Sequence, residues 1–182
     1  MSYRELKSFQ SATIIYDFTI EFVKRYVDFK SRTKDQMEQA ARSGKQNIVE
    51  AAAERTSKKT EIRLTGVARA SLEELLHDYE DFLRQRGLPK WDPDSTPAKA
   101  VRSLAYRTDK SYESYRSYLS NPEGAANAML CLINQCNYLL DRQITALEEK
   151  FVKEGGWNEK LRDRRAQEQK RRTGGPANWV RE

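Results

Sequence analysis

Proline is absent from the chain before Pro89, so the first half of the sequence can run as uninterrupted helix. A proline inside a helix removes a backbone hydrogen bond and clashes with the preceding turn, and nothing in this region imposes that break. The whole chain of 182 residues holds only eight glycines and five prolines, well below the roughly 12% of average usage. These features exclude an all-β fold and predict an all-α protein.

Apolar residues recur at intervals of three and four along most of the chain, which is the period of an amphipathic helix. The pattern predicts helices over about 6–31, 33–54, 57–87, 98–119 and 122–153. The inward stripe of the second helix consists of small residues, so we expect a neighbouring helix to approach it closely. The apolar arc of the third helix is wide enough to face two partners. Together these helices predict an up-and-down four-helix bundle with one additional helix, about 98–119.

Local start and stop signals set the predicted helix bounds. The start signals are a Thr33–Gln36 capping box, Thr56 or Ser57, Thr96 before Pro97, and Asn121 before Pro122. The clearest stop is the run Gly87-Leu88-Pro89, in which the glycine can adopt a left-handed conformation and the proline prevents continuation. Gly155 and Gly156 end the last long helix in the same way.

The C-terminal segment, residues 157–182, holds eight cations and four acids, which accounts for four of the six net positive charges of the chain. It has too few apolar residues to build a core, although the spacing of its charges would support a solvated helix to about Thr173. We therefore expect a bundle domain over 1–156, in which 90–120 is an inserted linker and helix, and a basic extension over 157–182.

Composition limits the location of the protein and the kinds of site that it can hold. No run of apolar residues is long enough to cross a bilayer, and the N-terminus MSYRELKSFQ lacks the apolar core of a signal peptide, so we expect no membrane and a cytoplasmic location. Cys131 and Cys136 point to different faces of a helix, which predicts small buried thiols and no disulfide or metal pair.

His77 is the only histidine of the chain. Glu74-x-x-His77 is one half of the paired motif that builds a di-iron site in a helical bundle, and the second half is missing. An ordinary interfacial or surface histidine is the simpler interpretation. The sequence has no glycine-rich phosphate loop, nucleophile elbow or Cys–His pairing. We expect no metal, no cofactor and no enzymatic activity.

Three groups of basic residues are candidates for binding a nucleic-acid backbone. They are Arg55, Lys58, Lys59 and Arg63 at the turn between the second and third helices; Lys99, Arg102, Tyr106 and Lys110 on one face of the 98–119 helix; and Arg164, Arg165, Lys170, Arg171 and Arg172 in the extension. Amides at the start of a helix favour a phosphate, and an aromatic ring among cations can stack on a base. A solvated helix end or a charged outer face has the same composition.

Two segments resemble a known family. The stretch RSGKQNIVEAAAERTSKK, Arg42–Lys59, resembles the pattern S-x-x-x-N-I-x-E-G-x-x-R-x-S of the bacterial four helix bundle protein family. The segment Leu64–Leu83, LTGVARASLEELLHDYEDFL, resembles that family's third-helix pattern A-R-G-S-L-x-E-L. The family includes proteins encoded in intervening sequences of ribosomal RNA genes and the accessory variability determinant of diversity-generating retroelements. The segment after residue 124 looks like the subset that carries a C-terminal suffix.

The resemblance covers 1–88 and 122–153, and this chain departs from it in two places. Ala51 stands where the family usually has glycine, and residues 90–120 are an added segment. The resemblance implies a four-helix bundle, often assembled as a homopentamer, with nucleic-acid binding proposed for some relatives and no enzymatic activity.

These observations lead to two hypotheses. The first is an oligomeric, non-enzymatic protein that binds RNA or DNA electrostatically and assists a nucleic-acid-processing partner. The second is an assembly scaffold whose tail, flanked by Trp157 and Trp179, docks on a protein partner. Salt sensitivity separates them, because phosphate contacts weaken steeply with salt whereas buried tryptophans do not.

Overall fold

A computed structural model describes residues 2–54, 56–107 and 111–173, and every regular element in those ranges is helical. The all-α prediction is confirmed. Two short 3-10 helices cover Tyr3–Glu5 and Ser117–Ser120. The α-helices are α1 (Lys7–Tyr26), α2 (Arg32–Ala53), α3 (Lys58–Gln85), α4 (Thr96–Leu104), α5 (Tyr112–Arg116), α6 (Pro122–Glu154) and α7 (Trp157–Thr173).

Helices α1, α2, α3 and α6 form the bundle, and each packs against two of the others in the cyclic order α1–α2–α3–α6. Its centre is apolar and aromatic: Phe22 is fully buried and its ring lies 4.8 Å from that of Tyr79 and 4.7 Å from that of Phe82. The buried Tyr79 hydroxyl shares a 3.0 Å hydrogen bond with Thr19, which satisfies both groups. The wide arc of the third helix faces α2 and α6, as expected.

The stripe of small residues on α2 does bring a neighbouring helix close. A Cβ placed on Gly44 would lie 2.7 Å from a terminal methyl carbon of Leu72 on α3, closer than side chains tolerate. Ser43 and Ser71 share a 2.9 Å hydrogen bond across the same seam. Glycine at this position therefore lets α2 and α3 pack more tightly than any other residue would allow.

Most helix bounds follow the local signals. Gly87 has a φ of 61°, and the amide of Leu88 donates to the carbonyl of Leu83 at 3.0 Å, which completes a Schellman stop. Ser57 caps α3 by accepting from the Thr60 amide, and Asn121 caps α6 by accepting from the Gly124 amide. The predicted ends at about residues 54, 87 and 153 and the starts at Ser57 and Asn121 are confirmed.

The first helix is shorter than predicted and the second begins earlier. α1 ends at Tyr26 rather than near residue 31, because Asp28 accepts the Lys30 amide at 2.9 Å and folds the chain into a turn. Ser31 caps α2 through the Thr33 amide, so the predicted Thr33–Gln36 capping box is wrong. Both errors come from serine and aspartate side chains competing for backbone amides.

The predicted helix over 98–119 is also wrong. The cap of α4 is Ser95, one residue before the predicted cap Thr96, and the helix ends at Leu104. The side-chain amide of Gln135 on α6 donates to the Arg102 carbonyl at 3.1 Å, and the Tyr106 amide turns to Ser103 instead of continuing the helix. A tertiary contact therefore stops α4.

The remainder of the inserted segment resumes helical structure at α5 and runs through the 3-10 helix to Asn121. Tyr115 and Leu119 are fully buried there, and the Tyr26 hydroxyl donates to the Leu119 carbonyl at 2.7 Å. These contacts seat the segment against α1 and α6.

α7 continues to Thr173, as predicted. Among its side chains that the structure describes, none is buried.

Candidate functional site

The basic group at the α2–α3 turn is partly neutralised. Lys58 pairs with Glu61 at 2.6 Å, and the Lys59 ammonium lies 6.0 Å from the centre of the Phe151 ring. Arg63 is exposed and has no acidic partner among the described residues. Arg55 lies outside the described residues.

An acidic side chain occupies two backbone amides just before α3. One carboxylate oxygen of Glu54 accepts the backbone amides of Thr56 at 2.7 Å and Ser57 at 3.0 Å. A carboxylate at this position repels a phosphate, which counts against the phosphate site predicted at the start of α3. Among the described cations of this turn, Arg63 is the one with neither an acidic partner nor a ring contact.

The predicted face of Lys99, Arg102, Tyr106 and Lys110 does not exist as one helical surface, because α4 ends at Leu104. Lys99 pairs with Asp94 at 3.4 Å. Lys110 lies outside the described residues. Arg102 and Tyr106 instead come together at the edge of a pocket.

This pocket has a volume of about 540 Å³, opens to solvent, and lies between α4, the 88–95 segment, α6 and the start of α1. We call it the α4–α6 pocket. Its floor is largely apolar. Its lining includes Lys7, Lys90, Trp91, Arg102, Tyr106, Asn127, Leu130, Cys131, Asn134, Gln135 and Tyr138.

Polar side chains of α6 fix the walls of the α4–α6 pocket. The Trp91 amide donates to the side-chain oxygen of Asn127 at 2.8 Å, and the Trp91 indole N–H donates to Glu123 at 3.0 Å. Asn127 in turn donates to the Pro89 carbonyl at 2.9 Å. The proline-rich segment is therefore fastened to α6, and Gln135 holds the end of α4 on the same helix.

Cys131 is only half-buried and lines this pocket, in contrast to Cys136, which is fully buried as predicted. Burial raises the pKa of the Cys131 thiol, and the nearby Arg102 guanidinium only partly opposes that shift. The side chain is therefore a protonated thiol at neutral pH, which makes it a poor nucleophile.

Helix α7 presents the densest basic surface of the described residues. Arg164, Arg165 and Arg171 are exposed and have no acidic partner in the described part of the chain, whereas Arg172 pairs with Glu168 at 3.4 Å. Lys170 is exposed on the same helix. These residues form what we call the α7 basic surface.

One of the two tryptophans that flank the extension is seen at the start of α7. Trp157 is 46% exposed, and Leu161, four residues along the same helix, is 38% exposed. Residues four apart share a helix face, so these two side chains form a small apolar patch. Trp179 lies outside the described residues.

His77 is a surface histidine. Its Nδ1 lies 3.2 Å from a Glu80 carboxylate oxygen, and most of its side chain is exposed. Across the described ranges, no three His, Cys, Asp or Glu side chains are grouped so as to hold a metal ion.

The α4–α6 pocket is what sequence reasoning missed. Arg102 and Tyr106 were candidates, but Lys7, Trp91 and Tyr138 come from three other segments. Their only local signal is an aromatic residue within a run of prolines, Trp91 between Pro89 and Pro93. That signal marks an ordered loop without indicating what the loop covers.

Comparisons of the chain with protein-family models, curated proteins and solved structures give no match. A search of the described helices finds none with the length and apolar character needed to cross a bilayer.

Proposed function

We propose that this protein is a non-enzymatic, homo-oligomeric helical-bundle protein that binds RNA or DNA electrostatically and assists a nucleic-acid-processing partner. The observation that carries the proposal is the α7 basic surface: a fully solvated helix on which Arg164, Arg165 and Arg171 lack acidic partners among the described residues. An unpaired guanidinium gives up little when it binds a phosphate, because no ion pair has to break first.

The chemistry of such binding is charge neutralisation. Each phosphate that meets an arginine releases condensed counterions, so affinity falls steeply as salt rises and depends little on base sequence. The resemblance of Arg42–Lys59 and Leu64–Leu83 to the four helix bundle protein family supports a homopentamer. Five copies of a weak basic surface would bind one nucleic acid with avidity.

The test is a set of charge reversals. Arg164, Arg165, Arg171 and Arg172 are changed together to Glu, and binding to a labelled RNA and a labelled DNA duplex is measured by anisotropy. We expect wild-type affinity to fall by orders of magnitude between about 50 and about 200 mM salt, and the variant to lose binding with unchanged helicity and oligomer mass.

A matched control makes the same change in net charge, but on the bundle and not on α7. It reverses the exposed cations Lys30, Arg32, Arg42 and Arg142 instead. Wild-type affinity in the α7 variant would show that the α7 basic surface is not the binding element, and an equal loss in the control would show that net charge alone is responsible. The same reversal of Lys99, Arg102 and Lys110 tests the second predicted set.

The apolar patch on α7 favours a second function, an assembly scaffold that docks a protein through Trp157. A solvent-exposed tryptophan beside Leu161 is the kind of anchor that fills a partner's pocket. Purification from the native host with and without nuclease separates the two proposals. Nuclease-sensitive, salt-released material supports nucleic-acid binding, whereas a stoichiometric protein that Trp157→Ala releases supports the scaffold.

A further inference from the structure

The charged side chains that line the α4–α6 pocket are all cations. Three cations line it, Lys7, Lys90 and Arg102, and the lining contains no aspartate or glutamate. Lys90 is held at 2.5 Å by Glu80, which lies outside the pocket. Lys7 and Arg102 have no acidic partner within the described part of the chain. The pocket therefore suits an anion, for which Lys7 and Arg102 are available.

The walls of the pocket suit a flat, unsaturated ring. Tyr106 is 86% exposed and Tyr138 is 63% exposed, although both line a pocket whose floor is apolar. Trp91 adds a third aromatic side chain, whose indole N–H is bound to Glu123. Aromatic faces left in water beside cations are a stacking platform for a nucleobase, each stacked base contributing about 1–3 kcal/mol.

We propose that the α4–α6 pocket binds one unpaired nucleotide of a single-stranded RNA or DNA, with the base against Tyr106 and Tyr138 and the phosphate at Arg102 and Lys7. A base within a duplex is stacked and paired, so it cannot enter the pocket without first being extruded. The inference rests on the proposed function. It adds a second site, which selects unpaired strands, to the α7 basic surface, which would bind nucleic acid of any base sequence.

The experiment compares one labelled single-stranded oligonucleotide with its duplex, each titrated by anisotropy against the full-length chain at fixed salt. The variants are Tyr106→Ala, Tyr138→Ala and Arg102→Gln. Both tyrosines are exposed, so their loss does not threaten the fold. The matched controls are Phe29→Ala, an aromatic residue that is 80% exposed between α1 and α2, and Lys24→Gln, a cation on α1 that is paired with Glu21.

We expect each pocket variant to weaken single-strand binding, about 5- to 150-fold for a tyrosine, and to leave duplex binding unchanged. The controls should leave both unchanged. Wild-type single-strand affinity in the double variant Tyr106→Ala/Tyr138→Ala would overturn the inference, and so would sodium dodecanoate binding that the same variant abolishes while single-strand affinity is retained.

The failures of the two proposals differ. If the wild-type protein binds neither the single strand nor the duplex, the proposed function itself is wrong, and the inference falls with it. If both ligands bind and depend on α7 arginines but not on Tyr106 or Tyr138, only the pocket inference is wrong.

Discussion

Helices α6 and α7 follow one another in the chain, separated only by Gly155 and Gly156, yet they are held in place by different forces. α6 packs on α1, α3 and α4 and buries a continuous apolar face that includes Met129, Leu132 and Ile133. α7 buries none of its described side chains, and its charges are exposed, as in the pairs of Lys160 with Glu154 and of Arg172 with Glu168.

The difference teaches where stability and function lie in this molecule. Burial of apolar area supplies most of the free energy of folding, whereas exposed ion pairs contribute about 0–1 kcal/mol each. The bundle is therefore the part that mutations unfold. α7 is the part whose charges can be exchanged without unfolding the bundle, which is what the proposed binding of an anionic partner requires.

The strongest test of the difference between the bundle and α7 is to truncate one apolar side chain in each of them. Phe22→Ala removes a fully buried ring from the aromatic cluster with Tyr79 and Phe82, and it should lower the free energy of unfolding by about 3–5 kcal/mol. Leu161→Ala on α7 should change it by less than about 0.5 kcal/mol. Urea unfolding at one fixed protein concentration measures both, and equal effects would show that α7 belongs to the folded core.

Two glycines inside bundle helices test how closely the helices pack at two different positions of the bundle. Gly44→Val should destabilise by about 1–3 kcal/mol, because its Cβ would meet Leu72 at 2.7 Å. Gly66→Ala meets nothing within 4 Å and should stabilise by about 0.5–1 kcal/mol through lower backbone entropy in the unfolded chain. Thermal unfolding of the two variants gives the signs, and a stabilising Gly44→Val would contradict the tight α2–α3 seam.

The smallest expected effect concerns a charge that the bundle half-buries. Burial, followed by the nearby Asp81 and Glu74, raises the pKa of Asp78 above its ordinary value. The charged form is therefore disfavoured in the folded state, and its cost to stability is present at neutral pH and disappears as the pH falls through the raised pKa.

Asp78→Asn should accordingly raise the midpoint of thermal unfolding slightly at neutral pH and have no such effect in acid, where the wild-type carboxyl is already protonated. Midpoints measured over a pH series for both proteins check this. A stabilisation that persists at low pH would mean that the amide gains a contact and that the charge is not the cause.

Helix bounds set by local chemistry could be predicted from the sequence. Gly87 ends α3 and Asn121 begins α6, because a left-handed glycine and a capping side chain act on neighbouring backbone groups. The end of α4 could not be predicted, since Gln135 binds the Arg102 carbonyl across 33 positions of sequence. Once α4 stopped at Leu104, the predicted Lys99–Lys110 face no longer existed.

By itself the sequence determined the helical class, the cores of its long helices and the exposed basic character of α7, because these depend on residue type, periodicity and neighbours a few positions apart. Only the tertiary structure decided that Gln135 ends α4 by binding the Arg102 carbonyl and that Lys7, Trp91, Arg102, Tyr106 and Tyr138 meet around one pocket. The physical reason is that hydrogen bonds and cavities between distant segments depend on how the helices pack. No pattern of neighbouring residues specifies that packing geometry.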